Sequence, residues 1–538
     1  MTQYTLTLVD VRRIQNYLFN ANELKQCLGG STLVELATHQ WIVDALPPKK
    51  NVALAGHTVT FSAETIADLD AEAIFLGGGN AAILFRSPDL AVDFAQKYTR
   101  QVLVDAPGLE VAVAHVDVEW DKEKGLLDAW NEMQTNAMPK QKEGRAVSQP
   151  LLGLGVTAEC AFTGLPAVEK IPDPDNVERD VLVSAEAFAK NNAGIVTDAK
   201  ERLAESLPLK SYAYPDRFDD LGGEKGRSSF IAVVHADGNS MGKRIQAYCS
   251  DNDNLAMLNK MRKFSEALND VSVIAMAKTV TWLEGTIHGG MIFDKWYENE
   301  FITLQGDKFP LRPILFGGDD LAFVSEGRLG LVLTEKYLEE LAKIKLPDGL
   351  PVFACAGVAI VPRHYPFSRA YHLAEELTRE AKKQARESDK DLAAVSLIHW
   401  YVATSGLTRD WEEIKQREFK GGKLLLRPLV VKHNPQVQVD QWRTWDVFVN
   451  QVDYFRNPKQ DKTKWKFGRG KLKELREIVR NGENSVKEFT IQNGDLPVFG
   501  VSDLGEARKT GWYGDRCIYF DSLEADDFFI SPKEAKNE

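Results

Sequence analysis

A chain of 538 residues, 44% apolar and 27% charged, has enough apolar content to build several packed domains and too much to be intrinsically disordered. Its net charge of −12 excludes a protein that coats nucleic acid over its whole surface, so any nucleic-acid contact must be local. No apolar run reaches transmembrane length and no N-terminal signal pattern is evident. The five cysteines, at 27, 160, 249, 355 and 517, have neither disulfide-framework nor metal spacing, so a cytoplasmic protein without a membrane contact is expected.

In chain order, Tyr4 to Asp10 predicts a strand, with a helix from Val11. Ala73 to Phe85 predicts a hairpin around Gly77-Gly78-Gly79-Asn80, and Leu109 to Val118 a further strand. The polar stretch Tyr212 to Arg227, with Pro215, Gly222, Gly223 and Gly226, reads as a linker. Beyond it, the strand-like run Phe230 to His235 leads to Asp237. Gly238-Asn239-Ser240-Met241-Gly242-Lys243 is then a turn opening a helix, whose free amides and dipole suit a triphosphate.

Next, apolar runs Pro313 to Phe316 and Leu321 to Val324 flank Gly317-Gly318-Asp319-Asp320, which predicts a hairpin with two carboxylates at its tip. Adjacent charges of one sign are tolerated best when a cation holds them, and Asp237 can complete a divalent metal pair with Asp319. A helix from Leu331 to Ile344 and a strand from Val352 to Val361 follow. An amphipathic helix then presents Ala370, Leu373, Ala374, Leu377 and Ala381 on one face and carries Lys382 and Lys383 near its end, before a strand from Ala394 to Trp400. This element order is that of a palm domain, in which a lysine of the last helix can reach terminal phosphates. A solvated helix end favoured by the dipole is the other reading of the two lysines.

Aligned on the glycine turns, Gly79 stands where Asp319 stands and Asn80 where Asp320 stands. The first copy therefore lacks both hairpin carboxylates but keeps a turn through which backbone can approach a ligand. A tandem of one competent and one incompetent palm predicts nucleotides held between them; a plain hairpin turn is the alternative. Arg456 to Arg480 carries ten basic and three acidic residues, with Trp465 and Phe467 interleaved, a mix suited to RNA and also to a solvated helix face.

These motifs resemble a known family, the large polymerase-like subunit of type III CRISPR effector complexes, which makes cyclic oligoadenylate messengers. The resemblance rests on Asp10 to Phe19, the Gly77 to Asn80 turn, Ala236 to Lys243, the Gly317 to Asp320 turn, and Gly357 to Val361 leading to Ala381-Lys382-Lys383. It implies an α+β fold of two ferredoxin-like, nucleotidyl cyclase-like palms with a small domain between them. The expected divisions are a degenerate first palm at 1–140, an inter-palm domain at 141–228, a catalytic palm at 229–402 and a mainly helical domain at 403–538. Two family features are expected to be missing. None of the nine histidines is followed by Asp, as a His-Asp nuclease domain would require, and Cys160 alone cannot make a zinc site, so it reads as a buried apolar residue.

The resemblance further implies an ATP-using nucleotidyltransferase in antiviral defence. Asp237, Asp319 and Asp320 are its expected catalytic residues and, with the Gly238 carbonyl, the ligands of two Mg²⁺ or Mn²⁺ ions. Asn239, Ser240, Met241, Gly242, Lys243, Gly317, Gly318, Lys382 and Lys383 would hold the triphosphate, and Gly79 and Asn80 the acceptor nucleotide. RNA and other CRISPR effector subunits are the expected partners. A diguanylate-cyclase-like enzyme using GTP, or a non-catalytic scaffold of a ribonucleoprotein, are the competing classes.

Overall fold

A computed structural model describes the chain except residue 1 and residues 145–154, 174–177, 222–228, 298–299, 389–393, 404–409, 421–422, 457–468, 498–504 and 535–538. Near the N-terminus, β1 (Gln3–Arg12), β2 (Ala71–Gly77), β3 (Asn80–Phe85) and β4 (Glu110–Glu119) form an antiparallel sheet in the order β2-β3-β1-β4. The expected helix start at Val11 moves to Ile14. Val11 pairs with Val111 and its N–H donates to Gly79 O at 2.8 Å, so ladder bonding carries the strand to Arg12. The chain turns at Arg13 (φ 50°) into α1 (Ile14–Phe19), followed by α2 (Leu24–Thr38), α3 (Pro88–Asp105) and α4 (Met138–Gly144). Between the sheets lie a two-stranded ribbon, Glu169–Pro172 with Asp180–Val183, and α5 (Ala193–Ser206). Cys160 is 4% exposed there, packed with Val183 and Ala187.

The second sheet contains β5 (Phe230–Gly238), β6 (Leu311–Gly317), β7 (Asp320–Glu326), β8 (Ala354–Pro362), β9 (Val395–Val402) and β10 (Leu429–His433), in the order β6-β7-β5-β8-β9-β10. Between β5 and β6 come α6 (Met241–Cys249), α7 (Asn254–Asn269) and α8 (Val271–Gly285); α9 (Gly330–Leu341) follows β7. The parallel pair β8 and β9 is joined by α10 (Phe367–Ser388), whose apolar stripe predicted from Ala370 to Ala381 is fully buried. The sheet runs past residue 402. Leu429–His433 pairs antiparallel with β9, so the C-terminal part begins with α11 (Trp411–Phe419), then a palm strand, before it becomes mainly helical.

The two sheets repeat one another in detail. Each glycine hairpin has its register shift three to four residues before the turn, at Ala73/Phe75 and at Pro313/Leu315. Gly77 and Gly317 have φ of 136° and 134°, and Gly78 and Gly318 have 61° and 68°, a conformation open to glycine without strain. One continuous core spans both sheets, and Phe19 of α1 stacks on Tyr371 of α10 with ring centroids 3.6 Å apart.

Gly357 lets α10 lie close on β8. A Cβ there would sit 2.0 Å from Ala374 O and 2.7 Å from Thr378 N, both backbone atoms. Gly357→Ala is therefore expected to destabilise the protein by about 3 kcal/mol or more, because rigid backbone cannot relieve the overlap. Thermal melting checks this, and an unchanged midpoint would mean that the helix can lift off the sheet.

On α9, burial and then the charge of Glu339 push Glu335 from the ordinary 4.5 up to about 8, against Lys432 and Lys336. A carboxyl whose pKa is raised on folding contributes stability that is complete below about 4.5 and lost as pH rises through about 8. Glu335→Gln is expected to raise the melting midpoint above wild type at pH 9 while matching it at pH 4.5; equal differences at both pH values would remove Glu335 as the cause.

Candidate functional site

Sheet register brings the three carboxylates of the second palm to one edge. Asp237, near the end of β5, lies opposite Asp320 on β7, and Asp320 closes the hairpin opposite Gly317. Asp319 occupies the turn, its side chain resting on Gly238. A Cβ on Gly238 would come within 2.6 Å of Asp319 Cβ and 2.8 Å of Oδ2, so glycine is required there for close approach. Gly238 N donates to Asp319 O at 3.2 Å. From α10, Lys382 Nζ reaches Asp237 Oδ2 at 2.5 Å and Gly238 O at 3.1 Å.

The electrostatics are those of crowded negative charge. Burial, then the Asp237 charge, pushes Asp319 up to about 6 despite Lys382. Burial, then Asp319 and Asp237, raises Asp320 well above the usual carboxylate range. Three hard oxygen donors facing a single ammonium suit a divalent cation of the Mg²⁺ or Mn²⁺ kind, with Lys382 occupying part of the space a cation would take. The cage is not closed. Among the described residues, the group of three side chains whose ligand atoms lie within 4.8 Å of one another is instead Glu35, His57 and Asp198. Arg202 lies close enough to that group to interact with both of its carboxylates, which supplies their positive charge.

The first palm faces this edge across a cavity of about 330 Å³, lined by Arg13, Gly78 and Gly79 on one side and Gly317, Asp319 and Asp320 on the other. The two glycine turns touch: a Cβ on Gly318 would lie 3.8 Å from Gly78 Cα. Gly79 O accepts from Val11 N, and the Asn80 amide folds back to donate to Gly78 O at 3.2 Å. In the first palm, Asp10 takes the register place of Asp237, opposite Asn80, and forms an ion pair with Lys142 of α4, as Asp237 does with Lys382.

Several expected ligand-gripping residues lie elsewhere. Asn239 is 1% exposed and its amide donates to Val395 O at 2.7 Å, so it ties β5 to β9. Met241 is buried in the core, because the first turn of α6 packs inward there, while Gly242 and Lys243 are exposed and Ser240, at φ 58°, starts the helix. Lys383, a residue further round α10 than Lys382, lines a separate cavity with His399 and Arg427. Arg456 is 2% exposed and paired with Asp294 and Asp526, so it belongs to the core and not to a basic strip. Lys471, Lys473, Arg476 and Arg480 pair with Glu474, Asp527 and Glu477; Lys459, Lys462, Lys464, Trp465, Lys466 and Phe467 lie outside the described residues.

Ser31 and Arg202 also line the cleft and were not foreseen. Arg202 Nη2 donates to Ser31 Oγ at 3.2 Å, and its guanidinium lies 5.0 Å over the Phe316 ring. Arg202 comes from α5, outside either palm, and no spacing in the sequence ties it to Gly317.

Residues 230–392 match the family described as Cas10/Cmr2, second palm domain. No curated protein matches the chain. Three solved structures of a Csm1-Csm4 cassette, in complex with cA4, pppApA and pppApApA, superpose on it with TM-scores of 0.51, 0.50 and 0.51. Their identities are 13%, 13% and 12%; each match covers 98% of this chain and 70%, 70% and 69% of the other, which establishes a shared fold. With two like palms and a hairpin bearing Asp319 and Asp320, the chain is similar to Cas10/Cmr2 proteins over its second palm and shares the fold of the Csm1-Csm4 cassette structures over nearly its whole length.

Proposed function

We propose that the protein is a metal-dependent nucleotidyltransferase that converts ATP to a cyclic oligoadenylate-type messenger in type III CRISPR or related antiviral defence. The observation that carries this reading is the juxtaposition of Asp237, Asp319 and Asp320 with the glycine turn of the first palm across one cleft. That Csm1-containing cassettes of the same fold are described with cA4, pppApA and pppApApA supports adenylate chemistry. Asp237, Asp319 and Asp320, with the Gly238 carbonyl, would hold two divalent ions. Bound there, Mg²⁺ or Mn²⁺ would lower the pKa of an attacking ribose hydroxyl and neutralise charge on the phosphate and the departing pyrophosphate.

The chain's own groups do the rest. Lys382, freed from Asp237 when the carboxylates gain another counter-charge, is positioned to hold terminal phosphates. On the outward side of the start of α6, Ser240, Gly242 and Lys243 would be offered to the same phosphates. Gly317, Gly318, Gly79 and Asn80 let two nucleotides approach backbone closely from opposite sides, and Arg13 adds positive charge from the first palm. Other effector subunits, of which the Csm4 partner of Csm1 is the precedent, and RNA are the proposed partners.

Incubating the purified chain with labelled ATP and Mg²⁺ or Mn²⁺, with and without RNA, tests the reading; it predicts pyrophosphate release and oligoadenylate on chromatography. Consumption of GTP in place of ATP, or of neither under all conditions, would overturn it. The first palm is expected to stay inactive even when its carboxylates are restored. Gly79 has φ 81° and a Cβ there would lie 2.7 Å from Ile14 Cδ1, so an aspartate is strained. Gly79→Asp with Asn80→Asp should lower turnover by repelling the acceptor nucleotide, and a doubled turnover would contradict this.

A further inference from the structure

We propose that a cavity between α10, β9 and α11, distinct from the carboxylate cleft, binds an oxyanion of the phosphate class. The cavity is about 220 Å³ and lies at the junction of the second palm with the C-terminal segment. Four cationic side chains line it, Lys383, Lys415, Arg427 and Arg516, against the single carboxylate of Glu380. Glu380 is engaged by Lys415 at 3.2 Å, and Lys415 also meets Glu412 at 2.8 Å.

Arg427 is the central observation. It is 1% exposed, with its guanidinium 4.6 Å from the Trp400 ring centre and 5.5 Å from that of Phe419. Its Nη1 donates to Asp521 Oδ1 at 2.8 Å and Glu524 Oε2 at 2.6 Å. Its Nε and Nη2 are buried and have no partner among the described residues, and neither has Nε1 of Trp411, 4% exposed on the same cavity. Buried donors are almost always satisfied, and charged ones most of all. Three donors together, on residues lining one polar cavity, call for a ligand that only accepts.

Burial, and then the positive charges of Arg427, Lys415, Arg443 and Arg516, hold His399 well below its ordinary range. The planar fork of a guanidinium fits tetrahedral oxyanions. Volume sets the size of the ligand. The cavity falls below the roughly 300–1,000 Å³ of whole small-molecule sites, so it takes orthophosphate or one phosphate group of a larger molecule. This inference is independent of the nucleotidyl-transfer reading, because it shares no residue with the carboxylate cleft.

The test is calorimetry and thermal melting of the full chain in EDTA with sodium phosphate, at ionic strength fixed with chloride. Saturable phosphate binding and a raised melting midpoint are expected. Lys383→Gln with Arg516→Gln, both at the accessible side of the cavity, should weaken binding at least tenfold, whereas Asp319→Ala with Asp320→Ala should leave it unchanged. If the double variant loses its native circular dichroism, Lys383→Gln alone, at an exposed position, should still weaken binding severalfold. Arms with pyrophosphate and AMP identify the source: tighter binding of AMP assigns the site to the phosphate of a larger ligand, and tighter binding of orthophosphate to the free ion. No saturable binding, equal binding by the Lys383 and Arg516 variants, or loss of binding in the Asp319 and Asp320 variant would each overturn the site, the second of these as an adventitious ion only.

Discussion

Replacing Asp319 and Asp320 together with alanine is expected to abolish pyrophosphate release from ATP, by a factor of at least about 10³, with the fold intact. Both residues line the cleft and are only half-buried, so truncation removes charge without opening a core cavity. The apo protein should even gain stability. Burial and then the Asp237 charge disfavour ionised Asp319, and burial with the Asp319 and Asp237 charges disfavours ionised Asp320, with Lys382 opposing both. A melting midpoint equal to or above wild type in metal-free buffer, together with lost turnover, is the expected pairing. Full activity by product chromatography would sink the mechanism; lost activity with a lowered midpoint would mean the substitution acted through folding.

Much of the palm was legible because its signals are local. Alternation and glycine turns located the strands that end at Asp237 and begin at Asp320, and the stripe from Ala370 to Ala381 located α10 within a few residues. The repeat of the glycine turn also carried the pseudo-symmetry, since both turns adopt the same positive φ values. What escaped depends on contacts between distant segments. Asn239 and Met241 sit in the phosphate-facing turn by sequence, yet one caps β9 and the other packs inward, a choice made by tertiary neighbours. The split between Lys382 and Lys383 follows from about 100° of rotation per helical residue, which sends adjacent lysines to different cavities. Arg202 entered the cleft from the inter-palm segment, and Lys142 mirrors Lys382 from a helix with no matching motif. Arg456, counted by sequence in a basic strip, pairs with Asp294 and Asp526, 162 and 70 residues away.

Asn269→Ala is expected to lower turnover roughly 10- to 100-fold while costing only about 1–3 kcal/mol of stability, because it cuts a tie that aligns the two palms. Helix α7 is inserted in the second palm but grips the first along its whole length. At its start, Asn254 Nδ2 donates to Trp120 O and Lys122 O; midway, Arg262 pairs with the buried Glu72 at 2.9 Å. At its end Asn269 bridges the two glycine turns: its Nδ2 donates to Leu76 O at 2.9 Å, and its backbone O accepts from Gly318 N at 3.2 Å. A Cβ on Gly77 would meet the Asn269 amide at 2.3–2.6 Å, so the turn and this side chain fit only as they stand. Alanine removes the tie to the first palm and keeps the backbone tie to the second. The reacting groups would then lose registry between palms, where an error near 1 Å can cost about a hundredfold in rate. Ser272 provides the contrast, since its Oγ accepts from Gly317 N at 2.8 Å and so steadies the second turn alone. Steady-state kinetics on Asn269→Ala and Ser272→Ala separates the effects. Asn269→Ala should lower kcat with KM for ATP nearly unchanged and shift product from cyclic toward short linear adenylates; wild-type kcat in that variant would show that the palms keep their alignment without it.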